Sequence, residues 1–174
     1  KSALLLYQKS LKEEFGDIIK HASISMGDSS NLDEQGLQKL AEDVPVVKIV
    51  DTLLRHAIIQ NASDIHMEAL EDKFLVRYRI DGILHDAMEL PKNTAAGITA
   101  RIKVLSRLKL DEKRLPQDGR FKIEADGERV SFRVSVLPTY YGEKTVMRLL
   151  REGGGGYTLE SLGFHGNGLE QIHD

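Results

Sequence analysis

Arginines in the middle of the chain are the side chains best suited to chemistry. The segment EKRLPQDGR at residues 112–120 places Lys113, Arg114 and Arg120 around a turn shaped by proline and glycine. A guanidinium group offers a planar fork of N–H donors that matches the oxygens of a phosphate. The pattern is therefore typical of a site for a phosphate-bearing anion, although a solvated basic turn would have the same composition.

A second pair of arginines follows on a predicted strand. Alternation at residues 129–136 sets Arg129 and Arg133 on one face, with Ser131 and Ser135, and four apolar side chains on the other. Arg77 and Arg79 repeat the pattern one hairpin earlier, where ion pairs with carboxylates of the sheet are as good an interpretation as ligand contact.

The charge distribution supports an anionic ligand in this region. Residues 101–151 hold 13 Lys and Arg against 7 Asp and Glu, a local charge of +6, whereas the whole chain of 174 residues has a net charge of -3. Fields of this kind attract anions. Nucleic acid is the less favoured ligand because only Phe121, Tyr140 and Tyr141 could stack on bases there.

Other kinds of site are disfavoured by the pattern. The six histidines are dispersed, so a metal site is not predicted. Ser63, Asp64 and His66 have the residue types of a hydrolytic triad, but neighbours on an extended chain point to opposite faces, which favours a structural role. The chain contains no GxxxxGK[ST], GxGxxG or GxSxG motif and therefore no complete active site.

Hydrophobic periodicity predicts the elements that position these arginines. Helical spacing occurs at residues 3–22, after Asn31 with Glu34 as a capping box, from Pro45 onwards, and at 94–108. Period-two alternation predicts strands at 73–80, 83–90, 120–136 and 143–150, with hairpin turns at Asp81-Gly82 and Asp126-Gly127. The fold class is α/β in the sense of α+β, a mostly antiparallel sheet packed with helices.

Further features bound the setting of the protein. The chain has no cysteine, no apolar run of the roughly 18 residues that span a bilayer, and no signal-peptide pattern. We therefore expect a cytoplasmic protein, with any membrane role exerted through a partner. Composition and the glycine run at 153–156 divide the chain into residues 1–44 as a helical appendage, 45–152 as the central domain, and 153–174 as a linker and the start of another domain.

Four motifs in one order resemble the secretion ATPase superfamily, the hexameric motors of type IV pilus assembly and type II secretion. They are ASDIHME at 62–68, VRYRIDG at 76–82, EKRLPQDGR at 112–120, and VSVLPT at 134–139 with GEK at 142–144. The likeness continues through RLL at 148–150 to LESLGF at 159–164.

The resemblance implies a PAS-like second N-terminal domain that precedes a RecA-like ATPase domain. It also implies that arginines of this domain contact ATP phosphates, with the Mg²⁺ held by the ATPase domain, and the candidates here are Arg114, Arg120, Arg133 and, as an addition, Arg148. Implied partners are the RecA-like domain, neighbouring subunits of a homohexamer, and platform and adaptor proteins at the inner face of the bacterial inner membrane. By itself the fragment should be inactive.

Two alternatives remain beside the motor. A PAS-like sheet could serve as a regulatory or partner-binding module, which predicts a closed apolar pocket or a basic N-terminus. Residues 1–44 have no cluster of cations, and docking of a partner on their helices stays open. A DNA-uptake relative of the motors would share the same motifs and bind single-stranded DNA. The choice between pilus assembly, secretion and DNA uptake is open at this point.

Overall fold

The computed structural model describes residues 32–125 and 127–151, together with the single residue Gly16. Apart from Gly16, the predicted helix at 3–22 lies outside these residues, as does the segment 153–174 with its glycine run. Within them, the positions of helices and strands follow the two periods of the apolar residues in the sequence.

Within residues 32–125 and 127–151, three α-helices form where apolar side chains recur at helical spacing: α1 at Glu34–Glu42, α2 at Val44–Ile59 and α3 at Ala95–Ser106. The predicted cap at Asn31 is wrong, because the Asp33 carboxylate accepts the Gly36 backbone N–H at 2.8 Å. Aspartate caps a helix as well as asparagine does. Pro45 lies in the first turn of α2, where its missing N–H costs no hydrogen bond.

Six antiparallel strands of the described residues form one sheet. They are β1 at Asp64–Ala69, β2 at Lys73–Ile80, β3 at Ile83–Pro91, β4 at Gln117–Ala125, β5 at Glu128–Thr139 and β6 at Gly142–Arg151. The order across the sheet is β3-β2-β1-β6-β5-β4. Two meanders of three strands thus meet at the pairing of β1 with β6, and the segment holding α3 crosses from one edge strand to the other.

Strand β1 is the main difference from the prediction, which placed no strand before residue 73. The structure makes it a central strand between β2 and β6. Its apolar residues Ile65 and Met67 are buried, and the alternating polar residues reach the opposite face. An alternation of six residues is too short to identify a strand, so β1 is identified by its pairing with β2 and β6.

The helices and the apolar side chains of all six strands form one core. Side chains such as Leu53 and Leu54 of α2 pack with Phe74, Phe132 and Met147 of the sheet. A smaller cluster joins Leu37 and Ala41 of α1 to Ala100 of α3 and Leu110. Burial of this apolar surface is the dominant stabilising contribution. Because the core covers one face of the sheet, the polar side chains lie on the other face.

Local turn chemistry fixes the first hairpin as the sequence predicts. Asp81 and Gly82 have φ of 50° and 81°, the left-handed values that a type I′ turn requires at both central positions. Strands β2 and β3 therefore pair with Ile80 opposite Ile83. The α+β class and the antiparallel sheet are confirmed, and strand and helix ends differ from the predicted ends by a few residues.

Candidate anion-binding face

A row of arginines crosses the polar face of β4, β5 and β6. Arg120 of β4 is paired with Arg133 of β5, and Arg133 is paired with Arg148 of β6. Directly opposed residues of an antiparallel sheet project from the same face, with neighbouring strands about 4.8 Å apart. All three side chains are exposed. The structure thus brings together three of the four predicted residues, which we call the arginine row.

Two members of the arginine row, Arg120 and Arg133, lack a countercharge among the described residues. Among residues 32–125 and 127–151, neither Arg120 nor Arg133 forms a side-chain hydrogen bond or an ion pair. Like charges placed directly opposite each other destabilise a pair of strands. Two unpaired guanidinium groups on one small area of sheet are therefore an arrangement that an anion would stabilise.

Arg148 differs because a buried carboxylate holds it. Its Nε lies 3.0 Å from Oδ1 of Asp64, the residue directly opposite on β1, while its side chain stays 68% exposed. Asp64 also lies opposite Arg79 of β2, whose Nε is 3.4 Å from Oδ2. Burial alone would raise the pKa of Asp64, but hydrogen bonds from Arg148 and Ser63 outweigh it and lower the pKa below its ordinary value.

The loop between α3 and β4 carries Arg114, the fourth predicted residue. Arg114 is exposed and lies outside the arginine row. The backbone N–H groups of Arg114 and Leu115 both donate to the carboxylate of Glu112. These hydrogen bonds, chiefly the one from Arg114, lower the pKa of Glu112. Gln117 ties the same loop together, since its side chain bonds the backbone of Lys109 and the carbonyl of Glu112. The loop that precedes Arg120 is therefore held by its own residues.

Close packing also fixes the start of β4. A Cβ at Gly119 would lie 2.9 Å from the backbone oxygen of Ser106 and 2.9 Å from Cδ2 of Leu108. Only glycine allows β4 to approach the end of α3 this closely. Because Arg120 is the next residue, this contact also fixes the position of its backbone in the arginine row.

Lys103 of α3 is a charged residue that the fold buries. Its side chain is 1% exposed, and Nζ contacts Oε1 of Glu143 at 2.5 Å and the carbonyl of Glu112 at 2.8 Å. The apolar stem of lysine can be buried if the ammonium group is paired. This ion pair joins α3 to the loop and to β6.

Ion pairs also hold charged residues of β1, β2 and β6 on the polar face. Arg77 Nη2 lies 3.1 Å from Oε2 of Glu68, and Lys144 Nζ lies 3.4 Å from the same oxygen. The ion-pair interpretation of Arg77 and Arg79 is therefore the one that the structure supports. Glu68 lies four residues after Asp64 on β1 and likewise forms ion pairs with cations of both flanking strands.

A hydrolytic triad at Ser63, Asp64 and His66 does not form. The Ser63 hydroxyl donates to the Asp64 carboxylate at 2.9 Å, and no hydrogen bond joins Ser63 to His66 in the described ranges. Burial and the neighbouring cations, Arg79 first, lower the pKa of His66. The hydroxyl therefore lacks the adjacent base that nucleophilic catalysis requires.

The aromatic residues give little support to binding of nucleic acid. Phe121 is 7% exposed and stacks on Phe132 in the core, with ring centroids 4.9 Å apart. It cannot stack on a base. Tyr140 and Tyr141 are exposed at the turn between β5 and β6, about 20 Å along the strand from Arg133.

An open groove of about 830 Å³ lies between α3 and the turn joining β5 to β6. Its lining includes Leu37, Ala96, Lys92, Lys113 and Tyr141. A closed apolar pocket, which a small-molecule module would need, is not what this groove provides. In the portion that the structure describes, no group of three or more His, Asp and Glu is arranged to hold a metal ion.

Sequence reasoning missed Asp64 as the centre of the polar face. The signal was present in the D-x-H-x-E alternation of Asp64, His66 and Glu68, which sets two carboxylates on one face of a strand. Pairing those carboxylates with the arginines of flanking strands requires the strand order, and the order is a property of the whole sheet. Of the described helices, none is long and apolar enough to cross a membrane.

Comparison with known proteins gives concordant results. Residues 39–174 match the sequence profile of the family described as "Type II/IV secretion system protein". The chain is 44% identical over 156 residues to the "Type IV pilus assembly ATPase PilB" of Myxococcus xanthus, covering 89% of the chain and 27% of that protein. It is 36% identical over 181 residues to the "Type II secretion system protein E" of Xanthomonas campestris, covering 97% of the chain and 32% of that protein.

A third relative, the "Type IV pilus assembly ATPase TfpB" of Acinetobacter baylyi, is 44% identical over 144 residues, or 82% of the chain and 23% of the relative. The chain thus spans about a quarter to a third of the length of these proteins. The family match covers most of the chain, including the whole sheet. The chain therefore belongs to the Type II/IV secretion system protein family, the superfamily of secretion ATPases, and corresponds to part of their N-terminal region.

Proposed function

We propose that this chain is part of a motor ATPase for type IV pilus assembly or type II secretion, and that Arg120 and Arg133 contact the phosphates of ATP. In this proposal residues 45–152 form the domain that faces the nucleotide, and residues 1–44 precede it. Residues 153–174 form the linker and the start of a RecA-like domain that supplies the remaining ATP site and the Mg²⁺.

The observation that carries the proposal is the pairing of Arg120 with Arg133. Both guanidinium groups are exposed and unpaired among the described residues, on the face of the sheet that the core does not use. A structural arginine normally acquires a carboxylate partner, as Arg77, Arg79 and Arg148 do. Two that lack one, placed side by side, fit an anion delivered by another domain.

The chemistry of the arginine row suits phosphoryl transfer. Negative charge spreads over the oxygens of the transferring phosphoryl group, and positioned guanidinium groups stabilise that charge. The proposal assigns Arg120 and Arg133 to the β- and γ-phosphates, Arg148 to the edge of the row, and Arg114 to the adjoining loop.

Such contacts also couple nucleotide state to shape. ATP bound between two domains draws them together, and loss of the γ-phosphate removes the contacts that favour the closed state. Repeated around a homohexamer docked on platform and adaptor proteins at the inner membrane, these closures would supply the motor stroke.

The test is ATP turnover by the full-length motor carrying Arg120→Ala or Arg133→Ala. An arginine that stabilises the transferring phosphoryl group contributes about 10³-fold or more to kcat, so we expect each variant to lose about 1000-fold in kcat. Thermal unfolding midpoints should stay close to that of the wild type, because both side chains are exposed.

Arg129→Ala is the matched control. Arg129 lies on the same strand and face, opposite Glu124 and about 13 Å from Arg133. We expect near-normal turnover from this variant. Wild-type turnover in both Arg120→Ala and Arg133→Ala would reject the assigned role, and an equal loss in Arg129→Ala would show that only the general charge of the face matters.

A further inference from the structure

The polar face contains a carboxylate in line with four arginines. Across β4, β5, β6, β1 and β2, the paired residues read Arg120, Arg133, Arg148, Asp64 and Arg79. Asp64 is 6% exposed, although isolated carboxylates avoid burial. A buried anion next to a proposed phosphate site would repel the ligand unless its charge were compensated. The ion pairs of Asp64 with Arg148 and Arg79 supply that compensation.

Both oxygens of Asp64 are held. Oδ2 accepts the Ser63 hydroxyl at 2.9 Å and lies 3.4 Å from Arg79 Nε, and Oδ1 accepts Arg148 Nε at 3.0 Å. The backbone of Ser63 is fixed as well, since its N–H donates to the Arg79 carbonyl at 2.8 Å and its carbonyl accepts the Leu149 N–H at 2.9 Å. Asp64 is therefore a rigid acceptor at the join of β2, β1 and β6.

The geometry at Arg148 shows what this rigidity does. Only the Nε edge of the guanidinium is bonded to Asp64, and the side chain remains 68% exposed. A guanidinium is planar, so fixing Nε–H on a buried acceptor fixes the plane and turns the two terminal amino groups outward. In the ranges that the structure describes, those amino groups have no protein acceptor.

We propose that Asp64 is a positioning residue: it holds Arg148 by Nε so that the outward amino groups complete the arginine row for a phosphate. This inference rests on the proposed function of the row and adds to it the residue that orients one member. Asp64 does not contact the nucleotide. It acts through Arg148, which distinguishes it from the unpaired Arg120 and Arg133.

The experiment is a double-mutant cycle on ATP turnover in the full-length motor, with Asp64→Asn, Arg148→Ala and the combined variant. Misplacing a reacting or stabilising group by about 1 Å can cost up to 100-fold, so we expect Asp64→Asn to lower kcat about tenfold. If Asp64 acts through Arg148, the same substitution in the Arg148→Ala background should change kcat less than twofold. A merely structural role would give the same loss in both backgrounds.

Glu68→Gln is the control, since Glu68 is a half-buried carboxylate on the same strand and face that pairs with Arg77 and Lys144. It should leave turnover within about twofold of wild type. Equal losses from Glu68→Gln and Asp64→Asn, or equal losses from Asp64→Asn in both backgrounds, would overturn the inference.

A second variant keeps the test decisive if Asp64→Asn folds poorly. Arg148→Lys retains the charge but lacks the Nε–H and the planar fork, so it should be as slow as Arg148→Ala. Full turnover in Arg148→Lys would overturn the positioning role. A separate result tests the proposed function, which is rejected if Arg120→Ala and Arg133→Ala both keep wild-type turnover. If those two variants are inactive but Asp64→Asn is fully active, only the role of Asp64 is rejected.

Discussion

The buried ammonium group of Lys103 allows a sharp prediction about stability. Its side chain is 1% exposed and joins three segments through Glu143 of β6 and the carbonyl of Glu112 in the loop before β4. Substitution by methionine keeps the length and the apolar stem of the side chain but removes the charge. The change therefore tests the ion pair rather than the packing.

The magnitude follows from what the substitution leaves behind. Removing one partner of a buried ion pair costs about 3–5 kcal/mol when the other charge is left without compensation. The carbonyl of Glu112 keeps a donor, the Gln117 side chain at 3.1 Å. Glu143 is 15% exposed, so water reaches it in part. We therefore expect Lys103→Met to lower the free energy of unfolding by about 2–3 kcal/mol.

Urea unfolding of the 174-residue chain, followed by circular dichroism, measures this loss. The double variant Lys103→Met with Glu143→Met is the matched control, because replacing both charges by apolar groups removes the uncompensated carboxylate. It should recover at least half of the lost free energy. A loss below about 0.5 kcal/mol in the single variant, or no recovery in the double variant, would refute the reasoning.

Three further predictions concern single residues. Gly119→Ala should lower the free energy of unfolding by about 1–3 kcal/mol, because the new methyl group lies 2.9 Å from a backbone oxygen at the end of α3; urea unfolding measures it, and no loss would contradict the contact. The pKa of Asp64 is lowered in the folded state, so its stabilising contribution is present above the pKa of the unfolded chain, near 3.8, and is lost as pH falls through the folded pKa. The stability advantage of wild type over Asp64→Asn should accordingly shrink between pH 6 and pH 3, and a constant difference would contradict this assignment. Tyr78→Phe should cost about 1 kcal/mol, since the buried hydroxyl donates to the Leu53 carbonyl at 2.9 Å; an unchanged thermal midpoint would show that this bond contributes nothing.

Local patterns in the sequence were sufficient for most elements of the fold. Alternation at residues 73–80 and the Asp81-Gly82 turn define a hairpin whose register needs no distant contact. The apolar spacing after Pro45 likewise defines α2. The boundaries moved by a few residues because caps such as Asp33 compete with neighbours of equal propensity.

Long-range pairing explains what the sequence could not predict. The place of β1 in the centre depends on its pairing with β6, some 80 residues later in the chain. The same pairing brings Asp64 to Arg148, so neither the buried carboxylate nor its effect on the arginine row is visible from local spacing. The burial of Lys103 has a similar cause, because Glu143 belongs to a distant strand. The arginines themselves were predicted from their types and from the family resemblance, and their role is a proposal.

The strand order also bears on how the chain folds. Each meander, β1-β2-β3 and β4-β5-β6, consists of neighbours in sequence and can form from local contacts, whereas the seam between β1 and β6 closes a loop of more than 60 residues. Closing such a loop costs entropy that is repaid only when the seam has paired. Joining of two preformed halves should therefore limit the folding rate, with amides at the seam gaining protection from hydrogen exchange after those of the β2–β3 hairpin.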